Sequence, residues 1–178
     1  MTTALLKTKH DKLFDLLDRN RNGVLEMEDF DLLAADLIAA GADNPRARSA
    51  GAVRDAYRRA FARFAAHADT DGDGTVSREE FHAAMATPAD RVARFEDIWG
   101  PTCDVEFDNV DIDGDGRLNE KEFAMLMAGF GHAPASASAA FGRIADGGEF
   151  ISRSAYYRAW QDYVAGDDTA AAANSMMP

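Results

Sequence analysis

Residues 111–122 read D-I-D-G-D-G-R-L-N-E-K-E. Carboxylates stand at positions 1, 3, 5 and 12 of this twelve-residue frame (Asp111, Asp113, Asp115 and Glu122), with Gly116 at position 6 and the apolar Leu118 at position 8. Each position has a physical reason. A large, hard cation takes six to eight oxygens at about 2.3–2.6 Å, and alternate residues of a tight turn direct theirs inward. Glycine at position 6 permits the positive φ that bends the chain around the ion. The peptide oxygen of Arg117 serves at position 7, a water bridges from Asn119, and Glu122 closes the far side with both its oxygens. A surface turn rich in Asp and Gly would require neither Glu122 nor Leu118. The pattern predicts a calcium loop of the EF-hand type.

Two further stretches fit the same frame. Residues 69–80, D-T-D-G-D-G-T-V-S-R-E-E, supply Asp69, Asp71, Asp73, the peptide oxygen of Thr75 and Glu80, with Gly74 and Val76 at the turn and apolar positions. Residues 18–29, D-R-N-R-N-G-V-L-E-M-E-D, supply Asp18, Asn20, Asn22, the peptide oxygen of Val24 and, at the twelfth position, Asp29 in place of Glu. Asp29 is one methylene shorter, and the two asparagines lower the charge. This loop is therefore expected to bind calcium more weakly than the others, or to favour magnesium, which needs fewer protein oxygens.

The stretch D-G-G-E-F-I-S-R-S-A-Y looks like a fourth loop in decay. Ile151 matches position 8, while the first position falls on Ile144 or Ala145 depending on the direction of counting, so the loop is one residue short. Position 12 is Ala155 on the count back from Ile151, and no calcium is expected there. Helix–loop–helix units pair through a short β-bridge at position 8. Leu25 should therefore face Val76, and Leu118 should face Ile151. A fourth loop without ligands persists, on this reading, because its partner needs it for packing. Cooperativity is then expected between loops one and two, with loop three binding alone.

Apolar residues at helical spacing place helices around these loops. They run at about residues 4–17, 28–40, 45–68 and after each later loop, with two pieces between 89 and 110, because Gly100-Pro101 should kink or break the helix there. The fold class is all-α: four helix–loop–helix units in two pairs, 1–88 and 89–166, packed as one globule, with 167–178 as a flexible Ala-rich tail. Arg46, Arg48, Arg54, Arg58, Arg59 and Arg63 make the third helix the basic run of the chain, read as a solvated face that balances the acidic loops.

With 178 residues, 47% hydrophobic and 28% charged, the chain can bury a sizeable core. A net charge of -12 argues against a nucleic-acid surface. Eleven carboxylates at or near ligand positions, including Glu26, supply most of it. The N-terminus has no apolar secretion core, no stretch reaches the roughly 20 apolar residues of a membrane span, and Cys103 is a single cysteine. A cytoplasmic monomer is expected. His10, His67, His82 and His132 fall in no catalytic spacing, so no enzyme activity is expected.

First positions at 18, 69, 111 and about 144 give unequal separations of 51, 42 and about 33 residues. Together with the opening M-T-T-A, the hand from Phe14 to Phe30, the I-W-G-P break at 98–101 and the F-A after the third loop, they carry a resemblance. The chain resembles the calerythrin-like sarcoplasmic calcium-binding proteins over nearly its whole length. The resemblance implies a compact four-hand globule that buffers calcium or modulates its signal, with calcium ions as cofactor. It departs from the family pattern in one respect. There the second hand is commonly silent, whereas here the second is intact and the fourth degraded, so three ions are expected. The alternatives are a sensor that opens an apolar groove, lined by Met85, Met125 and Met127, to a protein target, and a coelenterazine-holding relative of the photoproteins.

Overall fold

Three features of the sequence set the architecture: loops that reverse the chain, helices with one apolar face, and a proline in the middle. The computed structural model describes residues 4–45, 47, 50–168 and 171–176. Arg46 and Arg48 lie outside the described residues, as do the first three residues of the M-T-T-A opening.

Helix α1 (Ala4–Leu17) enters the first loop, strand β1 (Val24–Leu25) crosses it, and α2 (Met27–Ala40) leaves it. Helix α3 (Ala50–Ala68), β2 (Val76–Ser77) and α4 (Arg78–Ala84) form the second hand. The two strands are antiparallel, with Leu25 opposite Val76 and both fully buried. Phe14 and Phe64 of the entering helices close on Phe81 at 5.6 and 5.3 Å between ring centroids. Two arginines of the basic run are paired within the molecule. Arg58 donates two hydrogen bonds to Asp31, at 2.6 and 2.9 Å, and Arg63 pairs with Asp97 at 3.0 Å.

The proline break is gentler than a gap. Helix α5 (Pro88–Arg94) passes through a π-helical turn (Phe95–Trp99) into α6 (Gly100–Val110). Pro101 has no N–H to offer the carbonyl of Asp97, four residues back. Arg63 supplies a donor instead, its Nη1 lying 2.7 Å from that oxygen. The widened turn, in which the Gly100 N–H reaches back to the Phe95 carbonyl, absorbs the proline ring without ending the helix. Trp99 is thereby delivered into the N-terminal half, where its ring lies 6.1 Å from Phe30 and 5.8 Å from Phe64.

The third hand comprises α6, β3 (Arg117–Leu118) and α7 (Glu120–Gly129), and the fourth α8 (Pro134–Ile144), β4 (Ile151–Ser152) and α9 (Arg153–Ala165). Strands β3 and β4 are antiparallel, Leu118 opposite Ile151. One continuous apolar core joins all four hands. Both chain ends are tied into the globule. Lys9 and His10 of α1 are buried. Lys9 Nζ donates to the carbonyls of Asp162 and Gly166 at 3.3 and 2.8 Å, and His10 Nε2 lies 3.1 Å from that of Val164. They satisfy the open end of α9. The segment expected to fray is packed where it is described: a 3-10 turn (Ala172–Ser175) lies against α8 and α9 with Ala173 and Met176 buried. Alanines read as a frayed tail because they add little apolar area each, but their small size allows close approach to the equally alanine-rich α8.

Candidate metal sites

In loop three the turn is built by the candidate ligand residues themselves. Asp111 follows α6 directly, its Oδ1 accepting from the Gly114 N–H at 2.9 Å and its Oδ2 from that of Gly116 at 3.1 Å. Asp113 and Asp115 accept from the N–H groups two residues on, at 3.1 and 2.7 Å. These bonds aim three carboxylates at one point, with an oxygen of each within 4.8 Å of the others. Oxygens bound to one calcium ion at about 2.3–2.6 Å lie no more than about 5.2 Å apart, so the cluster fits the ion. Gly116 sits at φ +77°, and a Cβ there would meet nothing within 4 Å. The backbone angle demands the glycine, not the available space.

Glu122 is braced from both sides. Its Oε1 accepts from the Ile112 N–H at 2.9 Å and its Oε2 from that of Asn119 at 3.0 Å. Each oxygen has a second lone pair. Asn119, ahead of α7, caps the helix through the N–H groups of Lys121 and Glu122, which fixes where Glu122 leaves the helix.

Loop two repeats this geometry. Asp69 accepts from Gly72 and Gly74, and Asp69, Asp71 and Asp73 form the second carboxylate cluster within 4.8 Å. Glu80 carries more bonds than Glu122. Oε1 accepts from the Thr70 N–H and hydroxyl, both at 2.8 Å, and Oε2 from those of Ser77, both at 2.9 Å. The backbone N–H groups of Ser77 and Thr70 lead in holding this carboxyl down to about 2. The hydroxyls of Thr70 and Ser77 as partners of Glu80 were not anticipated from sequence, since the second loop position carries no type constraint.

Loop one keeps the frame with altered details. Asp18 accepts from Asn22 and Gly23, and Asn20 and Asn22 from the N–H groups two residues on. The shorter Asp29 reaches the N–H of Asn20 at 3.1 Å, one residue beyond the position that Glu80 and Glu122 reach, and that of Glu26 at 2.9 Å. Asp29 is fully buried, and burial raises its pKa. Glu26 draws in both side-chain amides, Asn20 Nδ2 at 2.9 Å and Asn22 Nδ2 at 2.7 Å. Position 4 requires a left-handed backbone. Gly72 and Gly114 supply it in the other loops, whereas here Arg21 holds φ +59°.

Of the position-7 residues, Val24 and Arg117 lie in strands, and Thr75 immediately precedes one. Loop four is one residue short between helix and strand: Ile151 is seven residues beyond the end of α8, whereas Leu25, Val76 and Leu118 are eight beyond their helices. Asp146 and Gly147 take the positive φ angles of its turn.

The family model for an EF-hand domain pair matches residues 7–86, and that for an EF hand matches residues 104–127. No curated protein matches the sequence. Among solved structures, the chain is similar to a Streptomyces coelicolor calcium-binding protein described in prokaryotic calcium-mediated regulation, at 24% identity over 92% of this chain and 99% of that one, TM-score 0.77. A sarcoplasmic calcium-binding protein from amphioxus is 23% identical over 99% and 98% of the two chains, TM-score 0.73. Calcium-loaded apo-aequorin from Aequorea victoria is 17% identical over 94% of each, TM-score 0.71. At these identities the likeness is one of fold.

Proposed function

The chain belongs to the EF-hand calcium-binding family, and we propose that it takes up three calcium ions, at residues 18–29, 69–80 and 111–122, as a buffer or signal modulator. The observation that carries this is the convergence of three carboxylates at each of loops two and three, each cluster closed by a braced Glu. Loop one fills last, because its asparagines lower the charge and Asp29 reaches one residue differently. Magnesium is its alternative ion. The ligands are Asp18, Asn20, Asn22, Asp29 and the Val24 carbonyl in loop one, Asp69, Asp71, Asp73, Glu80 and the Thr75 carbonyl in loop two, and Asp111, Asp113, Asp115, Glu122 and the Arg117 carbonyl in loop three. Function is binding, not catalysis, in a cytoplasmic monomer.

A buffer is favoured over a sensor by the methionines. Met85 and Met127 are buried, filling the core instead of lining an open groove. Burial of a bound cofactor of photoprotein size is disfavoured by the central cavity. It offers about 30 Å³ between Leu13, Tyr57, Trp99, Cys103, Glu106 and Trp160, against roughly 300–1,000 Å³ for a typical small-molecule site. Native mass spectrometry across a calcium titration tests the reading. The parent should take up three ions and Glu80→Gln and Glu122→Gln one fewer each. A parent that takes up none would overturn it, and calcium-induced binding of an apolar dye would turn it to the sensor.

A further inference from the structure

We propose that Asn44 is a positioning residue for the third calcium loop, supplied to it by the N-terminal pair. The proposal rests on the calcium reading above and adds to it a residue outside every loop. Asn44 is buried, four residues beyond the end of α2. Its Nδ2 lies 3.1 Å from the carbonyl oxygen of Asp108, 3.0 Å from that of Asn109 and 3.2 Å from that of Asp111. These stand at the end of α6, where an α-helix leaves carbonyls without an intrahelical donor. Asp111 is also the first ligand of loop three. Its carboxylate is held from inside by Gly114 and Gly116, while Asn44 holds its peptide from outside.

The contact is reciprocal and close. Asn109 Nδ2 donates to the Leu37 carbonyl of α2 at 2.6 Å. A Cβ on Gly41 would lie 2.3 Å from Asn109 Nδ2 and 2.4 Å from its carbonyl oxygen, so the turn after α2 meets the end of α6 only because residue 41 is glycine. On the other helix of the third hand, a Cβ on Gly129 would lie 2.9 Å from Leu37 Cδ2. The helix that leaves loop one is thus fastened to both helices of hand three. This matters because the loop paired with loop three has no carboxylate at its twelfth position. The order that a filled neighbour would lend comes instead from the other pair, and loop three does not bind alone.

Titration calorimetry on the full chain tests this in two backgrounds. Asp29→Asn with Glu80→Gln leaves loop three as the intact site, and Asp29→Asn with Glu122→Gln leaves loop two. Losing the Asn44 amide should weaken calcium at loop three about tenfold in Asn44→Ala. Loop two should be unchanged. Asn44→Asp, which keeps the shape and loses the donors, should weaken loop three at least as much, and Asn44→Gln, which keeps the amide, should recover part of it. Circular dichroism of each variant monitors folding, and Asn44→Asp carries the test should Asn44→Ala not fold. Equal affinity at loop three with and without these substitutions overturns the proposal, as does equal weakening of both loops. A loop-three background that takes up no calcium before Asn44 is changed overturns the calcium reading instead.

Discussion

Leu118 of the third loop lies opposite Ile151 of the fourth across an antiparallel bridge, and both side chains are fully buried. The fourth loop has no acid at its twelfth position, yet it holds the strand on which loop three closes. Ile151→Ala should destabilise the protein by about 2–5 kcal/mol, the range for deleting buried methyl groups, and Ile151→Val by about 0.5–1.5 kcal/mol. Calcium affinity at loop three should fall with them while that at loop two holds. Urea unfolding beside titration calorimetry measures both. Full stability in Ile151→Ala would mean that the bridge contributes nothing.

Asp29 offers a gain-of-function test. Its carboxylate accepts from Asn20 where Glu80 and Glu122 accept from the second loop position. Asp29→Glu restores the missing methylene, so loop one should bind calcium more tightly, by about tenfold where a second carboxylate oxygen is gained, and discriminate better against magnesium. Competition titration with both ions reads the outcome. An unchanged calcium-to-magnesium ratio would show that Glu26 and the two asparagines, and not the length of Asp29, set this site.

Much of the frame was legible because calcium loops constrain residue type at fixed spacing. The β-bridge partners Leu25–Val76 and Leu118–Ile151 followed from position 8 alone. The missing residue of loop four is likewise visible in the distance from Ile144 to Ile151. What the sequence hid lies between units. No local pattern indicates that Lys9 will cap α9, that Arg63 will serve the carbonyl freed by Pro101, or that Asn44 will reach the end of α6. These are single polar side chains whose partners are 34 to 157 residues away in sequence. Periodicity reports which face is apolar, and says nothing about which distant carbonyl lacks a donor.

Glu106 sits at such a junction. From α6 it accepts from the Tyr57 hydroxyl of α3 and the Tyr156 hydroxyl of α9, each at 2.5 Å. Burial pushes its carboxyl above the usual range. A carboxyl whose folded pKa exceeds its unfolded value of about 4.3 lends full stability below that pH and loses it as pH rises through the folded value. Glu106→Gln, which cannot ionise, should therefore gain on the parent as pH is raised from about 5 to 8. Urea unfolding at saturating calcium across that range would show it, since the two proteins differ at residue 106 alone. A gap between the two that stays constant with pH would sink the assignment.

Removing calcium should loosen the whole globule, because the loops hold the charge that the core must tolerate. Two like charges about 4 Å apart repel by roughly 1 kcal/mol in water and about 4 kcal/mol at an effective dielectric near 20, and in loops two and three three carboxylates gather within 4.8 Å. Three calcium ions would take the formal charge from -12 to -6. A site filled at a hundred times its dissociation constant stabilises the folded chain by about 2.7 kcal/mol. For a chain of 178 residues that corresponds to roughly 5–11 °C in melting temperature per site. Melting in excess calcium should therefore exceed melting in EDTA by more than any single site explains, and Glu122→Gln should remove only part of the difference. The same melting temperature in both buffers would mean that the turns are held by the hydrogen bonds of Asp69, Asp111 and their glycines without help from an ion.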